Sequence, residues 1–228
     1  MKVEFTHDIA CVWSALGYAR FQRAAEEHRA GGGELEVVFR PYQPAVSPAG
    51  TPPGRGHRRR GPAAWPEQIA RAAAVEGLVL NPDRIVPADT ARAHRLIALA
   101  AARGTAEDMA ALLYRAHFTD GLDVADTDVL RDLASVIGVR WNGENDGERP
   151  PRAEPAPSVR ASGPQVPVFR FPDGTVLVGA VSLAALRSEL KRAGSTPCSP
   201  ELASAQVAGA RVGGRSSPSW ARRWRSPA

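Results

Sequence analysis

The chain has 228 residues, 43% of them hydrophobic, and a formal net charge of +5. That length serves one large domain, or one domain with an insertion, around a sizeable core. Its two cysteines, Cys11 and Cys198, exclude a disulfide framework and an all-cysteine zinc site. The N-terminus lacks an apolar leader-like run, and no stretch reaches the roughly 18 apolar residues of a membrane span. The expected setting is a reducing cytoplasm, with no membrane partner.

The positive charge is unevenly placed. Ser195 to Ala228 holds five arginines and one glutamate, a net of +4, which leaves the remaining body near +1. A near-neutral body with a basic tail is a poor match to a nucleic-acid-binding domain.

Lys2 to Thr6 alternates and reads as a strand. Val12 to Arg29 reads as a helix, with Trp13, Leu16, Gly17, Phe21, Ala24 and His28 spaced along one face. Gly31-Gly32-Gly33 ends it, and Leu35 to Arg40, rich in β-branched and aromatic residues, forms a second strand. The three elements make a βαβ unit, which should be right-handed with parallel strands. Pro41 to Pro66 is dense in proline and glycine, carries the basic run Arg55 to Arg60, and predicts an exposed loop.

A helical block follows. Pro66 opens a helix over Glu67 to Glu76. Asp89 or Thr90 caps Ala91 to Arg103, which stops at Gly104. Thr105 to Asp108 resembles a capping box and starts a helix to about Phe118. Asp126 caps Thr127 to Ile137. Trp141 to Gln165 reads as a long loop, with room for one more helix over Ala153 to Ser162. Val166 to Phe171 and Thr175 to Gly179 flank an Asp-Gly turn and predict a hairpin. Ser182 caps a last helix, Leu183 to Ala193, stopped by Gly194. The tail has a disordered composition.

Cys11 falls at the junction between the first strand and the first helix. The first-turn N–H groups and the helix dipole there favour negative charge. Thiols so placed ionise at about 3.5–7.5 rather than about 8.5. The competing reading is a small, buried, inert apolar residue.

The order βαβ, helical block, ββα, with a cysteine at the first strand-to-helix turn and a proline opening the third strand, resembles an α/β thioredoxin-like fold with a helical insertion between its second and third strands. Several segments carry a closer resemblance: Asp8-Ile9-Ala10-Cys11-Val12-Trp13-Ser14 with Gly17, Arg20 and Phe21; Phe39-Arg40-Pro41-Tyr42; Ala93-His94-Arg95-Leu96; Tyr114 to Gly121; and Val166-Pro167-Val168-Phe169. They resemble the DsbA-like thioredoxin-fold oxidoreductases, in the FrnE-like branch near the 2-hydroxychromene-2-carboxylate isomerases and kappa-class glutathione transferases. The resemblance runs over about residues 1–193. It implies a thioredoxin-like part at 1–43 and 163–194, a helical subdomain at 64–140, irregular loops at 44–63 and 141–162, and a tail at 195–228.

The resemblance also implies roles. Cys11 matches the attacking cysteine of Cys-Pro-Trp-Cys, and Ser14 stands where the resolving cysteine would be. Pro167 matches the proline that is cis in thioredoxin folds, and Val166 would offer its backbone to an extended substrate. Dithiol exchange needs a second thiol to resolve the mixed disulfide, and Ser14 cannot supply it. Three readings remain open. Cys11 exchanges with mixed disulfides of a protein or small molecule, with a small thiol (glutathione or mycothiol) completing the cycle. Alternatively, Cys11 or Ser14 helps to hold a small thiol for isomerisation or transfer. In the third, the chain is a non-catalytic scaffold. A Ser14 hydroxyl donating to sulfur would lower its pKa.

Other residues complete the expectation. Trp13 is expected to cover the thiol and fill the cleft, and His94 to line it or join the core. His7 stands near enough in sequence to pair with a thiolate, though its direction is open. Cys198 is either a stray thiol or a remote resolving one. No metal site is expected, and the oligomeric state is open, a homodimer included.

Overall fold

β1 (Lys2–His7) is the strand on which the others assemble. In the computed structural model, residues 1–42, 67–141 and 166–195 are described. β2 (Glu36–Pro41) pairs parallel to β1, and β3 (Val168–Arg170) pairs antiparallel on its other side. β4 (Val176–Val178) completes the sheet in the order β2-β1-β3-β4. The register sets Phe5 opposite both Phe39 and Phe169. Its ring stacks on Phe169 at 4.8 Å and meets Phe39 edge-on at 5.9 Å. Cross-strand aromatic pairs of this kind help to hold the register.

Parallel pairing of β1 and β2 requires a crossover, and α1 (Val12–Ala30) provides it. Its buried stripe runs through Ser14, Tyr18, Phe21 and Ala25. Tyr18 and Phe21 stack over Phe5, while α6 (Leu183–Ser195) packs along α1 through the buried Leu186 and Leu190. Between β2 and β3 stand α2 (Glu67–Val75), α3 (Ala91–Ala101), α4 (Ala106–Arg115) and α5 (Thr127–Val136). α3, α4 and α5 pack on one another. A single apolar cluster passes from Phe5 and Phe21 through Leu96, Met109 and Leu113 to Leu130. The architecture is the thioredoxin-like fold with a helical insertion.

Local departures from the sequence expectation have physical causes. The Thr105 capping box does not form: the Thr105 hydroxyl donates to the Ala100 carbonyl, 3.2 Å away, and closes the preceding turn. Asp89 accepts from the Ala91 N–H at 2.8 Å, so Thr90 makes no cap and turns inward. Gly194 does not stop the last helix, which runs through it to Ser195. A Cβ at Gly194 would sit 3.0 Å from the His28 ring, so this glycine permits close packing against α1. α4 runs on into a π-helical turn, Ala116–Asp120, ended by Gly121 at φ +70°, and a short 3₁₀ turn spans Pro82–Arg84. Asp126 caps α5 as expected, accepting from the Asp128 and Val129 N–H groups. Pro41, expected to open a loop, instead ends β2 in register with His7; the rest of that loop from residue 43, the helix over Ala153 to Ser162, and the tail with Cys198 lie outside the described residues.

Candidate active site

Cys11 is the N-cap of α1, at φ −94° and ψ 113°, with extended backbone. Its carbonyl accepts the first helical bond, from the Ala15 N–H at 3.0 Å. The sulfur is thus held at the helix mouth, where the N–H groups of Trp13 and Ser14 point at it. The Cys11 thiol faces the Val166 carbonyl with Sγ–O at 3.9 Å, and the Val166–Pro167 bond is cis. Two contacts fix that segment. The Pro167 carbonyl accepts from the Gly179 N–H at 2.7 Å, and the Pro167 ring lies against Gly17, where a Cβ would come within 2.7 Å of Cγ. Arg20 ties the next link down, donating to the Ala180 and Val181 carbonyls at 2.8 and 3.2 Å. Cys11, Ser14, Val166 and Pro167, 155 residues apart along the chain at the Cys11–Val166 contact, are brought to one place.

Ser14 is fully buried. Its hydroxyl accepts from the Asp8 N–H at 3.4 Å and interacts with both the Cys11 sulfur and the Tyr114 hydroxyl. Asp8 is buried too. Its Oδ1 accepts from the Thr90 hydroxyl at 2.7 Å and from the Ala10 N–H at 3.3 Å, and it lies 3.6 Å from His94 Nε2. Beyond Asp8 the site is aromatic. His7 Nδ1 meets the Tyr114 hydroxyl at 2.7 Å, and the His7 ring stacks on Phe5 and meets His94 edge-on at 4.9 Å.

Several expectations are corrected here. The sulfur is not predisposed to ionise: Cys11 is half-buried, and its pKa is raised above the ordinary thiol value. Burial is the main cause. The N–H and hydroxyl of Ser14 and the N–H of Trp13 pull the other way, and the Asp8 carboxylate adds to the rise. The helix mouth is present, but the desolvation around the sulfur outweighs it. Trp13 lies outside the core and is 48% exposed, because the buried stripe of α1 passes one position along, through Ser14. His94 is only 4% exposed and stands behind Asp8, facing His7 and not an open cleft. His7 is fully buried and bonded to Tyr114, and burial with His94 alongside lowers its pKa well below the usual histidine value. It is a neutral ring and forms no ion pair with the sulfur.

Tyr114 and His117 enter the sequence analysis only within a resembling segment and Thr90 only as a helix-cap candidate; none of the three is expected at the site. One signal for His7 was available: two residues from Phe5 on one strand, it must share the core-facing side. Among the described residues no group of three or more His, Cys, Asp or Glu could hold a metal ion. No helix among them is long and apolar enough to cross a membrane.

The family profile for the DSBA-like thioredoxin domain matches residues 2–147. A probable DsbA oxidoreductase of Streptomyces coelicolor is similar at 27% identity and TM-score 0.62, over 87% of this chain and 93% of that one. The cytosolic disulfide reductase DsbM of Pseudomonas aeruginosa, solved with GSH, is similar at 19% identity and TM-score 0.53, over 84% and 98%. A 2-hydroxychromene-2-carboxylate isomerase is similar at 15% identity and TM-score 0.54, over 84% and 95%. No curated protein sequence matches the chain.

Proposed function

Since the chain belongs to the DSBA-like thioredoxin domain family, we propose that it is a thiol–disulfide oxidoreductase working with one active-site cysteine, Cys11, and a small thiol as second substrate. The observation that carries this reading is the Cys11 sulfur at the mouth of α1, 3.9 Å from the Val166 carbonyl, with a buried serine at position 14.

The chemistry runs in two exchanges. The Cys11 thiolate attacks the small-thiol sulfur of a mixed disulfide, protein–S–S–R. A Cys11–S–S–R bond forms, the protein–S bond breaks, and the protein leaves as a thiolate that takes up a proton. A second R–S⁻ then attacks the R-side sulfur, releasing R–S–S–R and the Cys11 thiolate. The incoming free R–S⁻ is oxidised to the disulfide level, the R–S taken from the substrate stays at that level, and the protein sulfur is reduced to a thiol. R is a small cellular thiol such as glutathione or mycothiol. The Val166 backbone aligns an extended substrate, Pro167 walls the site, and Trp13, exposed at its rim, contacts the substrate. Ser14 donates to the sulfur as it ionises. His94 holds the Asp8 side of the site.

The raised thiol gives this reading a pH signature. Burial holds the thiol above its ordinary value of about 8.5, so exchange should keep rising with pH through about 9 and not level off near neutrality. The test follows formation of the reduced peptide, with one small-thiol disulfide for each, from a glutathionylated or mycothiolated model peptide in the presence of the matching free thiol. Turnover that Cys11→Ser abolishes supports the proposal; rates equal in the two proteins contradict it.

One observation favours a second reading. A protonated Cys11 and the Ser14 hydroxyl are both donors, a pair suited to holding another molecule's thiolate for isomerisation or transfer. Saturable binding of glutathione or mycothiol to Cys11→Ser by calorimetry, without peptide turnover by the native protein, would favour it.

A further inference from the structure

The turn that carries Cys11 is held by hydrogen bonds that converge on Asp8. The Asp8 carbonyl accepts from the Cys11 N–H at 3.2 Å, which closes a four-residue turn from Asp8 to Cys11. Inside that turn Asp8 Oδ1 accepts from the Ala10 N–H at 3.3 Å, a side-chain bond that mimics a backbone turn. The Asp8 N–H donates to the Ser14 hydroxyl at 3.4 Å, in the first turn of α1. Ile9, fully buried, pins the turn to the core from its middle.

One hydrogen bond reaches the Asp8 side chain from another element. The Thr90 hydroxyl donates to Oδ1 at 2.7 Å, across 82 residues of sequence. Thr90 is 5% exposed and opens α3, its carbonyl accepting from the His94 N–H at 2.9 Å. Asp89 takes the capping bond to the Ala91 N–H, which leaves the Thr90 side chain for Asp8. His94 Nε2, 3.6 Å from the same oxygen, makes no hydrogen bond. A hydroxyl that donates to a carboxylate makes a strong bond, and a buried carboxylate left short of donors is costly. Without Thr90 the Asp8 side chain turns toward water, and its bond to the Ala10 N–H opens with it.

We propose that the helical insertion positions the reacting sulfur: Thr90, at the start of α3, holds the Asp8 carboxylate, and Asp8 holds the turn that sets Cys11 against the Val166 carbonyl. Thr90 and Asp8 are positioning residues; they act through the turn and not on the sulfur. This alignment deepens the proposed function and rests on Cys11 being its reacting residue. α3 packs on α4 and α5. The insertion therefore holds Cys11 from one side, and the Val166–Pro167 segment, 3.9 Å from the sulfur, faces it from the other. A misplacement of about 1 Å can lower a rate by about a hundredfold.

The test uses the full chain with Thr90→Val, which keeps the shape and removes the donor, and Thr90→Ser, which restores it. Thr105→Val is the control: its hydroxyl also closes a turn of the insertion, at the Ala100 carbonyl, and has no bond to Asp8. Amide hydrogen exchange, read by NMR, reports on the turn. In Thr90→Val the Ala10 and Cys11 amides should exchange about tenfold faster, as for losing one bond to a charged group. Amides of β1 and α5 should keep their native rates. Thr90→Ser should recover most of the protection, and Thr105→Val should lose none. Exchange of Cys11 with a glutathionylated peptide should slow by about tenfold in Thr90→Val. The plateau rate of alkylation by iodoacetamide at high pH, which needs no alignment with Val166, should hold. A general loosening, with all amides and alkylation faster together, overturns the inference. So do native turn amides in Thr90→Val, no recovery in Thr90→Ser, or the same change in Thr105→Val. Native peptide exchange in a Thr90→Val protein whose turn has loosened overturns the positioning role. If Thr90→Val does not fold, Thr90→Ala removes the same hydroxyl and is read by the same criteria. The amide rates need no turnover. A native protein that exchanges no peptide disulfide defeats the proposed function, and the clamp on the turn is still judged by its amides.

Discussion

Ser14 is the residue at which this chain departs from a two-thiol site. A hydroxyl there supports the Cys11 sulfur electrostatically but cannot attack a disulfide. Ser14→Cys therefore tests what the position does. In the presence of glutathione disulfide, the native protein should stop at one small-thiol adduct on Cys11. Ser14→Cys should instead lose the adduct by forming a bond between the sulfurs at positions 11 and 14, read by intact mass and by resistance to alkylation. A persistent adduct in the variant would show that position 14 is not placed to resolve Cys11. The place of Cys11 was legible from the strand and helix signals on either side of it, whereas Ser14 and Pro167 were picked out by the family resemblance. The Tyr114–His7 bond was not legible, because it joins residues 107 apart, and no local periodicity reports such a contact.

At the scale of elements, the approach of α1 to the segment before β3 holds the site together. Gly17 makes it possible: a Cβ there would lie 2.7 Å from the Pro167 ring, which has no flexible end to yield. Gly17→Ala gains helix propensity of about 1 kcal/mol but meets an overpacking cost of about 1–3 kcal/mol. We expect a net loss of stability in urea, together with slower Cys11 exchange as Val166 is pushed off the sulfur. A variant as stable and as fast as the native protein would show that the contact relaxes freely. The helical face of α1 was readable from residue spacing, but its exact rotation was not. Ser14 and Tyr18 lie at its centre and Trp13 at its edge, a shift of one residue that periodicity over a wide buried face does not resolve. Thr90 likewise has the sequence of a helix cap, yet a buried carboxylate at 2.7 Å is the stronger partner for its hydroxyl.

Across the whole molecule, the buried histidines make stability depend on pH. His117 falls from 6.5 to about 4 in the folded state, chiefly through burial, with Asp8 and Asp123 opposing the fall. Between those values the unfolded chain binds the proton and the folded one does not, so stability is complete above about 6.5 and is lost as pH falls toward 4. The loss from this residue is about 3 kcal/mol. His7, also lowered, adds to it in the same direction. Urea melts at pH 7 and pH 4.5 should show the drop, and His117→Phe should reduce it; an equal drop in both proteins would assign it elsewhere. The parallel βαβ unit, the later hairpin and the helical block between them were readable from the element order, and the family resemblance joined them into one fold. The electrostatic state of the sulfur was not readable, since a helix N-terminus reads as favourable to charge, whereas desolvation depends on what the rest of the chain places around it.

The most direct measurement is mass spectrometry of the native protein after a brief, acid-quenched incubation with a glutathionylated peptide and no free thiol. The account predicts a glutathione adduct on Cys11, with release of one peptide thiol for each adduct formed. An unmodified Cys11 after the peptide disulfide has been given time to exchange at pH 9, or an adduct found on Cys198 alone, would contradict it.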